Sequence, residues 1–379
     1  MALATVSISD VLSAPNLCGL IEQTANGLPQ VFPKQFTAIH QKVHRDYGEW
    51  KTQIGARSVA STTAYGSASK DDQQVQVGVM TAKLLHSFRN VKLPVADFMN
   101  LLQMTDLTRQ QMGMQEIARQ VKFHTQKQNN LRITALSSAI FNGNIWLDKY
   151  GNLLPSSSGA TITIPFNIPA GNQNQLNVLG SGNIVAASWA TAGTDIESQV
   201  RNLRQASMLL TGYPIRYAFY GVNIPSYLTN NTSLQTYFSR ASYPGGLYPN
   251  GVGPEFVYTG DLPPNLLGLT WLPSYMQYAV FGGDNGTASS LIGADEVVFT
   301  TDPDDSGWLQ NMEGSYGVPS KFGPVAVEDL AGSIEERFGM FSYAEPCNNP
   351  TTATLYFGDT YLPAITNPNC LFQGKVANY

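Results

Sequence analysis

One stretch of the sequence has the spacing of a calcium-binding loop. Its oxygen-bearing positions are Asp302, Asp304, Ser306 and Glu313, with the glutamate at the twelfth place and a glycine in the middle. Such a loop supplies carboxylate and hydroxyl ligands and a final bidentate carboxylate. It normally lies between two helices, whereas here a strand-like run precedes it and a run with Gly and Pro follows it. The alternative is a turn whose side chains bond their own backbone, and we expect no metal and no cofactor.

No other residues have the spacing of a catalytic centre. His40 and His44 are four residues apart, as in metal sites on helices, but no third ligand accompanies them, and an exposed or packed pair is the alternative. The GxSxG, GxxxxGK[ST] and GxGxxG patterns are absent from the sequence. Cys18, Cys347 and Cys370 fit neither a disulfide framework nor a zinc site, which favours a reducing compartment. We therefore expect a protein that is not an enzyme.

Composition excludes several classes of function. Of 379 residues, 13% are charged, 43% hydrophobic and 11% aromatic, so uncharged polar side chains supply much of the surface, which suits large neutral contact areas. The net charge of −5 argues against a dedicated DNA-binding protein. The chain has neither a basic start followed by an apolar run nor a stretch of ~18 apolar residues, so we expect no secretion and no membrane partner.

Charge is unevenly distributed along the chain. Residues 1–150 hold 15 Lys and Arg against 10 Asp and Glu, a net charge of +5, and residues 151–379 hold 7 against 17, a net charge of −10. Basic N-terminal segments lying on acidic surfaces of neighbouring copies would use this asymmetry. Two solvated faces of one monomer are the alternative.

The first hundred residues predict segments that need support from another surface. Residues 1–50 have scattered apolar positions interrupted by Pro and Gly, which predicts an extended arm. Residues 52–65 and 73–80 are typical of two strands joined by a turn-rich tip. A hairpin with so few large apolar residues cannot bury itself, so we expect it to lie on something else, such as another subunit.

A long helix is predicted over residues 105–141, which contain no Pro and one Gly. Met114, Ile117, Ala118 and Val121 have the spacing of one helical face. At 1.5 Å per residue the helix would be roughly 55 Å long, a spine rather than an ordinary domain helix. Its polar middle, 124–130, and its net charge of +3 indicate a solvent-exposed, mildly basic face. Two shorter helices broken near 128–130 are the alternative.

The rest of the chain alternates between helices and strands. A hairpin is predicted at 144–152, a helix after the capping pattern at 194–197, and short helices and strands in between. The predicted strands are 160–165, 213–220, 267–272, 296–301, 337–343, 353–361 and 371–376, and a short helix is predicted at 232–240. The pattern favours an α+β fold.

Several motifs, taken in order, resemble the major capsid proteins of tailed bacteriophages. They are GLPQVFP (27–33), GARSVA (55–60), AYGS (64–67), the long helix, FTTDPD (299–304) with EGS (313–315), GMF (339–341), GDTYLP (358–363) and NPNCLF (367–372). The resemblance spans most of the chain and rests on order and spacing. It also gives a second reason to interpret the calcium-loop spacing as coincidence.

The resemblance implies the capsid fold of the Hong Kong ninety-seven type. This is an α+β fold with an N-terminal arm, an extended β-hairpin loop, a peripheral domain with a long spine helix, and an axial domain. The implied boundaries are 1–50 for the arm, 51–92 for the hairpin loop, 93–194 for the peripheral domain with spine helix 105–141, 195–325 for the axial domain and 326–379 for the return to the peripheral domain.

The implied function is a non-catalytic shell subunit that forms hexamers and pentamers of an icosahedral phage head around double-stranded DNA. The implied partners are other copies of the chain, a separate scaffolding protein, a portal and a decoration protein, with assembly in the host bacterial cytoplasm. A tail or decoration protein, or a β-rich extracellular hydrolase or carbohydrate-binding module, is the alternative.

Two sets of residues are the candidate sites of such a subunit. The candidates for contact between subunits are Arg57, Tyr65, Lys70, Val75, Val77 and Val79. The candidates for a basic, lumen-facing side of the spine helix are Arg119, Lys122 and Lys127. Some relatives weld neighbouring subunits through a Lys and an Asn, and Lys70 with Asn367 or Asn369 is the pair that this would require here, although no catalytic Glu is marked beside them.

Overall fold

The structure of the chain is a computed structural model. The residues that it describes are 8–27, 32–53, 77–103, 106–172, 187–235, 262, 266–273, 277–281, 287–290, 292–322, 334–348 and 351–377.

Helices and strands are mixed along the chain, as the sequence predicts for an α+β protein. The helices are α1 Ile8–Val11, α2 Ala14–Asn26, α3 Lys34–Thr37, α4 Val95–Leu102, α5 Leu107–Asn142, α6 Ile196–Thr211, α7 Ile224–Asn230 and α8 Pro303–Ser306. The strands are β1 Ile39–Val43, β2 Tyr47–Gln53, β3 Val77–Lys83, β4 Leu85–Lys92, β5 Asn144–Leu147, β6 Leu153–Leu154, β7 Ile162–Pro165, β8 Ile215–Tyr220, β9 Thr270–Pro273, β10 Gln277–Phe281, β11 Thr287–Ser290, β12 Glu296–Thr301, β13 Leu309–Pro319, β14 Ile334–Phe338, β15 Phe341–Asn348, β16 Thr351–Ile365 and β17 Leu371–Lys375. Short 3₁₀ helices lie at Leu266–Gly268 and Pro368–Cys370.

The chain divides into two compact units. The first unit contains residues 1–49, 81–136 and 310–363, and the second contains 50–80, 137–309 and 364–379. This division differs from the boundaries predicted at residues 194 and 325. The peripheral and axial roles of the two parts stay predictions.

A six-stranded sheet forms the first unit. Its order is β1-β13-β16-β15, with β14 also pairing with β13 and β4 with β16. The 15-residue strand β16 is buried over most of its length and pairs along both edges. Phe357 of β16, for example, is opposite Ser342 of β15 on one side and Arg89 of β4 on the other.

The N-terminal segment is partly helical and does not extend away from the unit. Pro15 lies in the first turn of α2, where its missing N–H costs no hydrogen bond. Leu17 and Ile21 are 0% and 2% exposed and pack in the same core cluster as Phe357. The prediction of an extended conformation is wrong for residues 14–26, because their apolar positions have helical spacing.

The prediction of one long helix is confirmed. Helix α5 has 36 residues and passes through residues 128–130 without a break. Ile117 and Val121 are buried in the core of the first unit, as their spacing predicts. The expectation that the middle of the helix, residues 124–130, is exposed to solvent is only partly right. His124 is 6% exposed, and its ring stacks on Phe357 with the ring centroids 4.3 Å apart.

The predicted hairpin is present at its base. Strands β2 and β3 pair with each other, and residues 54–76, which contain the predicted tip, lie outside the described residues. The predicted hairpin loop ended at residue 92, but β4 does not belong to the hairpin. Its residues 85–92 pair with β16 in the sheet of the first unit, because they alternate between inward and outward side chains along that sheet.

The second unit is organised around a four-stranded sheet with the order β17-β12-β8-β9. Strand β12 has the predicted bounds and is buried along five of its six residues. The three-stranded sheet β6-β5-β7 contains the predicted hairpin at 144–152 and the strand at 160–165. The terminal strand β17 pairs with β12, so residues 371–375 belong to this sheet and not to the sheet of β14, β15 and β16, with which the predicted boundaries had grouped them.

Helix α6 packs its apolar stripe on that sheet. Val200 and Leu203 are buried in one cluster with Phe299 of β12. Asp195, rather than the predicted Thr194, caps the helix, because its carboxylate accepts the backbone N–H of Ser198. The helix ends at Gly212, which adopts the left-handed conformation that favours glycine. Helix α7 was not predicted. Of the helix predicted at 232–240, residues 232–235 are helical and 236–240 lie outside the described residues.

The strand predicted at 337–343 is two strands. Gly339, with a φ of +70°, separates β14 from β15. The two strands then pair with different neighbours, β14 with β13 and β15 with β16.

A tight aromatic contact generates a prediction for Gly358. A Cβ atom built on Gly358 of β16 would overlap the ring of Phe341, which is fully buried and stacks on Tyr316 with the centroids 4.4 Å apart. We expect Gly358→Ala to lower the free energy of unfolding by about 1–3 kcal/mol, because the ring cannot move without disturbing that stack. Denaturant unfolding measures the change.

The control is Gly19→Ala in α2, since no atom lies within 4 Å of a Cβ at that position. Alanine there is expected to stabilise the protein by roughly 0.5–1 kcal/mol. Equal effects of the two substitutions would contradict the packing explanation.

Candidate functional site

A buried cluster of charged side chains lies between α5 and the sheet of the first unit. Arg132 donates from Nε to Asp359 Oδ2 at 2.7 Å and from Nη1 to Glu313 Oε1 at 2.8 Å. A further bond from Nη2 to Asp359 makes that pair bidentate. The side chains of Arg132 and Asp359 are 16% and 1% exposed. Tyr361 completes the cluster, with the guanidinium 5.0 Å from its ring centroid.

The charges in the cluster stabilise one another. Burial alone would lower the pKa of Arg132, but the carboxylates of Asp359 and Glu313 outweigh burial and raise that pKa. Burial also raises the pKa of Tyr361, so its hydroxyl stays protonated and can donate a hydrogen bond. Because each charged group is engaged by another member, the cluster has the chemistry of a structural ion network rather than of an acid or base.

The cluster continues into the N-terminal segment. The Tyr361 hydroxyl donates to Asn311 Oδ1 at 2.7 Å. The Asn311 amide donates to the backbone oxygens of Phe36 and Ala38, both at 2.8 Å. One polar network thus connects the long helix, strands β13 and β16, and the chain just before β1.

Sequence reasoning missed this network, because Arg132 was counted among the exposed charges of the helix. A signal was present, since Ile133, Ala135 and Leu136 next to it begin the apolar end of α5 and are buried. A lone charge at the start of such a run indicates a buried cation that needs a partner.

Among the basic spine candidates, Arg119 and Lys122 are exposed and Lys127 is half-buried, and the three differ in their contacts. Arg119 donates two hydrogen bonds of 2.7 Å to Glu116, which leaves little net charge there. Lys122 is exposed. The Lys127 ammonium lies 4.7 Å from the ring centroid of Phe123, whose side chain is 51% exposed. The structure therefore combines two lysines with an exposed aromatic ring, and their predicted position facing a lumen stays a prediction.

The calcium-loop residues do not form one site. Asp302 caps the short helix α8 by accepting the backbone N–H of Asp304, and Ser306 donates back to the Asp302 carbonyl. Glu313 lies on β13 and binds Arg132. The alternative of a self-capped turn therefore accounts for the loop. Among the described residues, no group of three or more His, Cys, Asp or Glu is placed to hold a metal ion.

The histidine pair lies on a strand and not on a helix. His40 is in β1, where its Nδ1 accepts the backbone N–H of Asn311 at 3.3 Å. His44 follows β1, and its Nδ1 lies 2.8 Å from Glu336 Oε1. A spacing of four residues does not bring side chains together on a strand, so the metal-site spacing has no meaning here.

Most candidates for contact between subunits lie outside the described part of the chain. These are Arg57, Tyr65, Lys70 and Val75, together with the side chain of Val77. Val79 on β3 is 58% exposed. Asn367 caps the last 3₁₀ helix and donates to Gln53, and Asn369 accepts from Asn172 through its backbone oxygen. The Lys–Asn link is therefore a prediction that the described residues leave open.

Two of the three cysteines, Cys18 and Cys370, are buried and lack the environment of a nucleophile. Burial raises the pKa of Cys370 to about 11 and also raises the pKa of Cys18.

Among the described helices, none is long and apolar enough to cross a membrane.

Comparison of the sequence with models of protein families and with curated proteins gives no match. Comparison with solved structures does give matches. A protein assigned as the capsid protein of a prophage of E. coli CFT073 has 13% sequence identity and a TM-score of 0.52, with 98% of this chain and 100% of that chain covered. A phage-related protein from Bordetella bronchiseptica RB50 has 10% identity and a TM-score of 0.48 over 95% and 96% of the two chains. The capsid of cyanophage P-SCSP1u has 14% identity and a TM-score of 0.41 over 91% and 88%.

The first comparison defines the fold. Because the match covers essentially the whole of both chains, this chain has the α+β fold of a phage capsid protein, as the sequence motifs predict. The arm, the hairpin loop and the peripheral and axial domains are not individually identified by it.

The buried ion network generates a prediction for Arg132. Arg132→Met leaves the Asp359 carboxylate buried without its cation, and we expect a loss of about 3–5 kcal/mol in the free energy of unfolding. Combining Arg132→Met with Asp359→Asn removes both charges, so the double variant should lose less than the sum of the two single losses. Denaturant unfolding of the three variants gives the coupling.

Arg119→Met is the matched control, because its ion pair with Glu116 is on the surface and its side chain is 72% exposed. This variant should unfold almost as the parent protein does. Strictly additive losses at Arg132 and Asp359 would show that the two residues act independently.

Proposed function

We propose that this chain is the major capsid protein of a tailed bacteriophage, a structural subunit that assembles into an icosahedral head. The observation that carries the proposal is the match of fold over the full length of a prophage capsid protein. The order of sequence motifs and the 36-residue helix agree with it. The proposed location is the virion, with assembly in the host bacterial cytoplasm.

The physical properties of the chain suit repeated assembly. Only 13% of residues are charged, so many copies can approach without strong electrostatic repulsion. Weak neutral contacts repeated around closed rings add up to a stable shell, while each contact stays reversible during assembly. The proposed rings are hexamers and pentamers of the same chain.

The two units then take separate roles in the proposal. The first unit, with the long helix and the six-stranded sheet, corresponds to the peripheral domain, and the second unit to the axial domain. The hairpin that begins with β2 and β3 would lie on a neighbouring subunit. Arg57, Tyr65, Lys70, Val75, Val77 and Val79 are its proposed contact residues.

Other partners follow from the requirements of a phage head. A scaffolding protein would guide assembly, a portal would occupy one vertex, and a decoration protein would bind the outer surface. Packaged double-stranded DNA would meet Lys122 and Lys127 through non-specific contacts to phosphates.

A non-catalytic role is supported by the state of the reactive groups. The charged groups of the Arg132 network bind each other, and two of the three thiols are buried with a raised pKa.

A tail or decoration protein is the second candidate from the virion, and a β-rich hydrolase or carbohydrate-binding module is a third from a different class. The long helix inside a capsid-like fold favours the head protein over both.

Negative-stain electron microscopy of the chain co-expressed with its neighbouring genes tests the proposal. We expect closed icosahedral particles, because rings that close into a shell bury the contact surfaces of every copy. Small uniform monomers in the presence of the scaffolding protein would contradict a head protein. Open tubes or small rings would instead favour a tail or decoration protein.

The proposed DNA contact has its own test. We expect Lys122→Gln with Lys127→Gln to weaken binding of double-stranded DNA and to lower the slope of log K against log salt by about 1–2, because up to two phosphate contacts are lost. Fluorescence anisotropy at several salt concentrations measures both quantities.

Arg119→Gln is the control, since its guanidinium is already paired with Glu116. It should leave the slope nearly unchanged. The same slope in all three proteins would remove these lysines from the DNA contact.

A further inference from the structure

Strand β4 is an open edge of the first unit's sheet. It pairs with β16 in one unbroken antiparallel register, and among the described strands β16 is its only partner. The strand contains neither a proline nor a bulge, which are features that keep a sheet edge from pairing. Phe88 in its middle is 42% exposed. Such an edge is suited to the addition of another strand.

The direction of the backbone groups shows where a second strand would bind. Leu93, directly after β4, donates its N–H to Ala353 O of the β16 region, so the odd-numbered residues of this stretch point their backbone groups to β16. The even-numbered residues point theirs outward, and on that side Leu84 donates its N–H to Asp46 O. Beyond Leu84, the outward groups at positions 86, 88 and 90 have no backbone partner among the described residues.

We propose that this edge pairs with the same edge of a second copy, in antiparallel orientation about a twofold axis at Phe88. Phe88 then lies opposite Phe88 of the second copy, and His86 lies opposite its Asn90. These positions point outward, so the residues of each pair exchange two backbone hydrogen bonds. An interface in which the same patch meets itself is the form that a twofold axis requires. The proposal rests on the proposed function, because it identifies a surface for the self-association of the shell.

The aromatic side chain at the centre favours this pairing. The Phe88 ring stacks on Tyr356 of β16, with the ring centroids 5.6 Å apart, and still leaves 42% of the side chain exposed. In the proposed pair each Phe88 lies directly across from the other. Aromatic pairs between neighbouring strands stabilise a sheet, so the contact covers apolar surface that one copy leaves open.

The other face of the edge specifies the register. With the axis at Phe88, Arg89 lies opposite Ser87 of the second copy and Leu85 opposite its Val91, so polar meets polar and apolar meets apolar. An axis at Arg89 would place two guanidinium groups opposite each other, which is unfavourable. An axis at Ser87 would run the second strand into the position that Asp46 occupies beside Leu84.

Charge complementarity at the two ends of the edge specifies the orientation. Asp46 lies beside Leu84 at one end, and Lys92 lies at the other. The two residues are roughly 27 Å apart along the strand within one copy, since each residue of a strand advances about 3.4 Å. The proposed pairing brings Lys92 of the second copy to the level of Leu84 and therefore next to Asp46, and it does so twice. Lys83 lies at the same end, so the charge test below changes Asp46 itself.

Cysteine cross-linking between two separately mutated chains tests the register. In a Cys347→Ser background, which removes the least buried native thiol, one chain carries His86→Cys and the other Asn90→Cys. Opposite residues of an antiparallel pair have Cα atoms about 4.5–5.5 Å apart, within the range of a disulfide. Mild oxidation of the mixture should give a cross-linked dimer in at least tenfold higher yield than either chain alone. Position 86 and its own symmetry mate would be roughly 14 Å apart along the strands, and the same holds for position 90.

The control mixture replaces His86→Cys with Leu209→Cys, a residue 72% exposed on α6 of the second unit. Equal yields from the control mixture would overturn the proposal. Absence of the dimer from both the free protein and assembled particles would also overturn it, and would assign the edge to a different strand.

Charge reversal provides a second, independent measurement. Asp46→Lys and Lys92→Asp, each in both chains of the cross-linking mixture, should lower the yield about threefold to tenfold by placing like charges next to each other. The double reversal should restore the yield to within about twofold. Asp46 holds Leu84 through its backbone oxygen, which the substitution retains. Because the two charges are too far apart to meet within one copy, rescue reports pairing between copies, and failure of rescue overturns the proposed register.

The outcome is separable from that of the proposed function. Particles that form normally with both single reversals and without edge cross-links would contradict this pairing and leave the head protein intact. Cross-linked dimers without particles under any condition would retain the pairing and contradict the shell.

Discussion

The first unit depends on the pairing of one buried charge. Arg132 lies on the inward side of a long helix, where an unpaired guanidinium would cost several kcal/mol. Its two carboxylate partners come from β13 and β16, so the helix can pack on the sheet only in the position that brings all three together. Tyr361 and Asn311 extend that requirement to the backbone before β1. The helix, the sheet and the N-terminal segment are thus fixed by the same polar network.

Close packing specifies the other parts of the same sheet. Phe341 covers Gly358 on the neighbouring strand and stacks on Tyr316, so a ring on one strand occupies the space that a side chain would fill on another. Cys18 and Ala14 of α2 pack against Phe341 in the same cluster. Such contacts are not directional in the way that hydrogen bonds are. They still exclude other registers of the strands, because a slip of β16 would put a side chain where Gly358 now lies. Polar pairing and dense packing therefore specify one arrangement together.

The sequence allowed local structure to be predicted much better than the partners of individual side chains. Strand β12 and helix α5 were predicted to within about two residues, because periodicity is a property of neighbouring positions. The partners of Arg132 are 181 and 227 residues away along the chain, and no local pattern identifies them. Glu313 matched the last position of a calcium loop for the same reason, since its spacing from Asp302 was visible in the sequence and its contact with Arg132 was not. His40 and His44 show the converse error, in which a helical spacing was applied to a strand.

A surface with few charges makes the position of each charge informative. On α5, Arg119 is paired with Glu116 at the surface, and Arg132 is paired with Asp359 and Glu313 in the interior. A charge that is already paired within the chain contributes little to a contact with another copy. In the proposed shell, contacts between copies would therefore depend mainly on neutral surface, which keeps each contact weak enough to be reversible while many repeated contacts give a stable assembly.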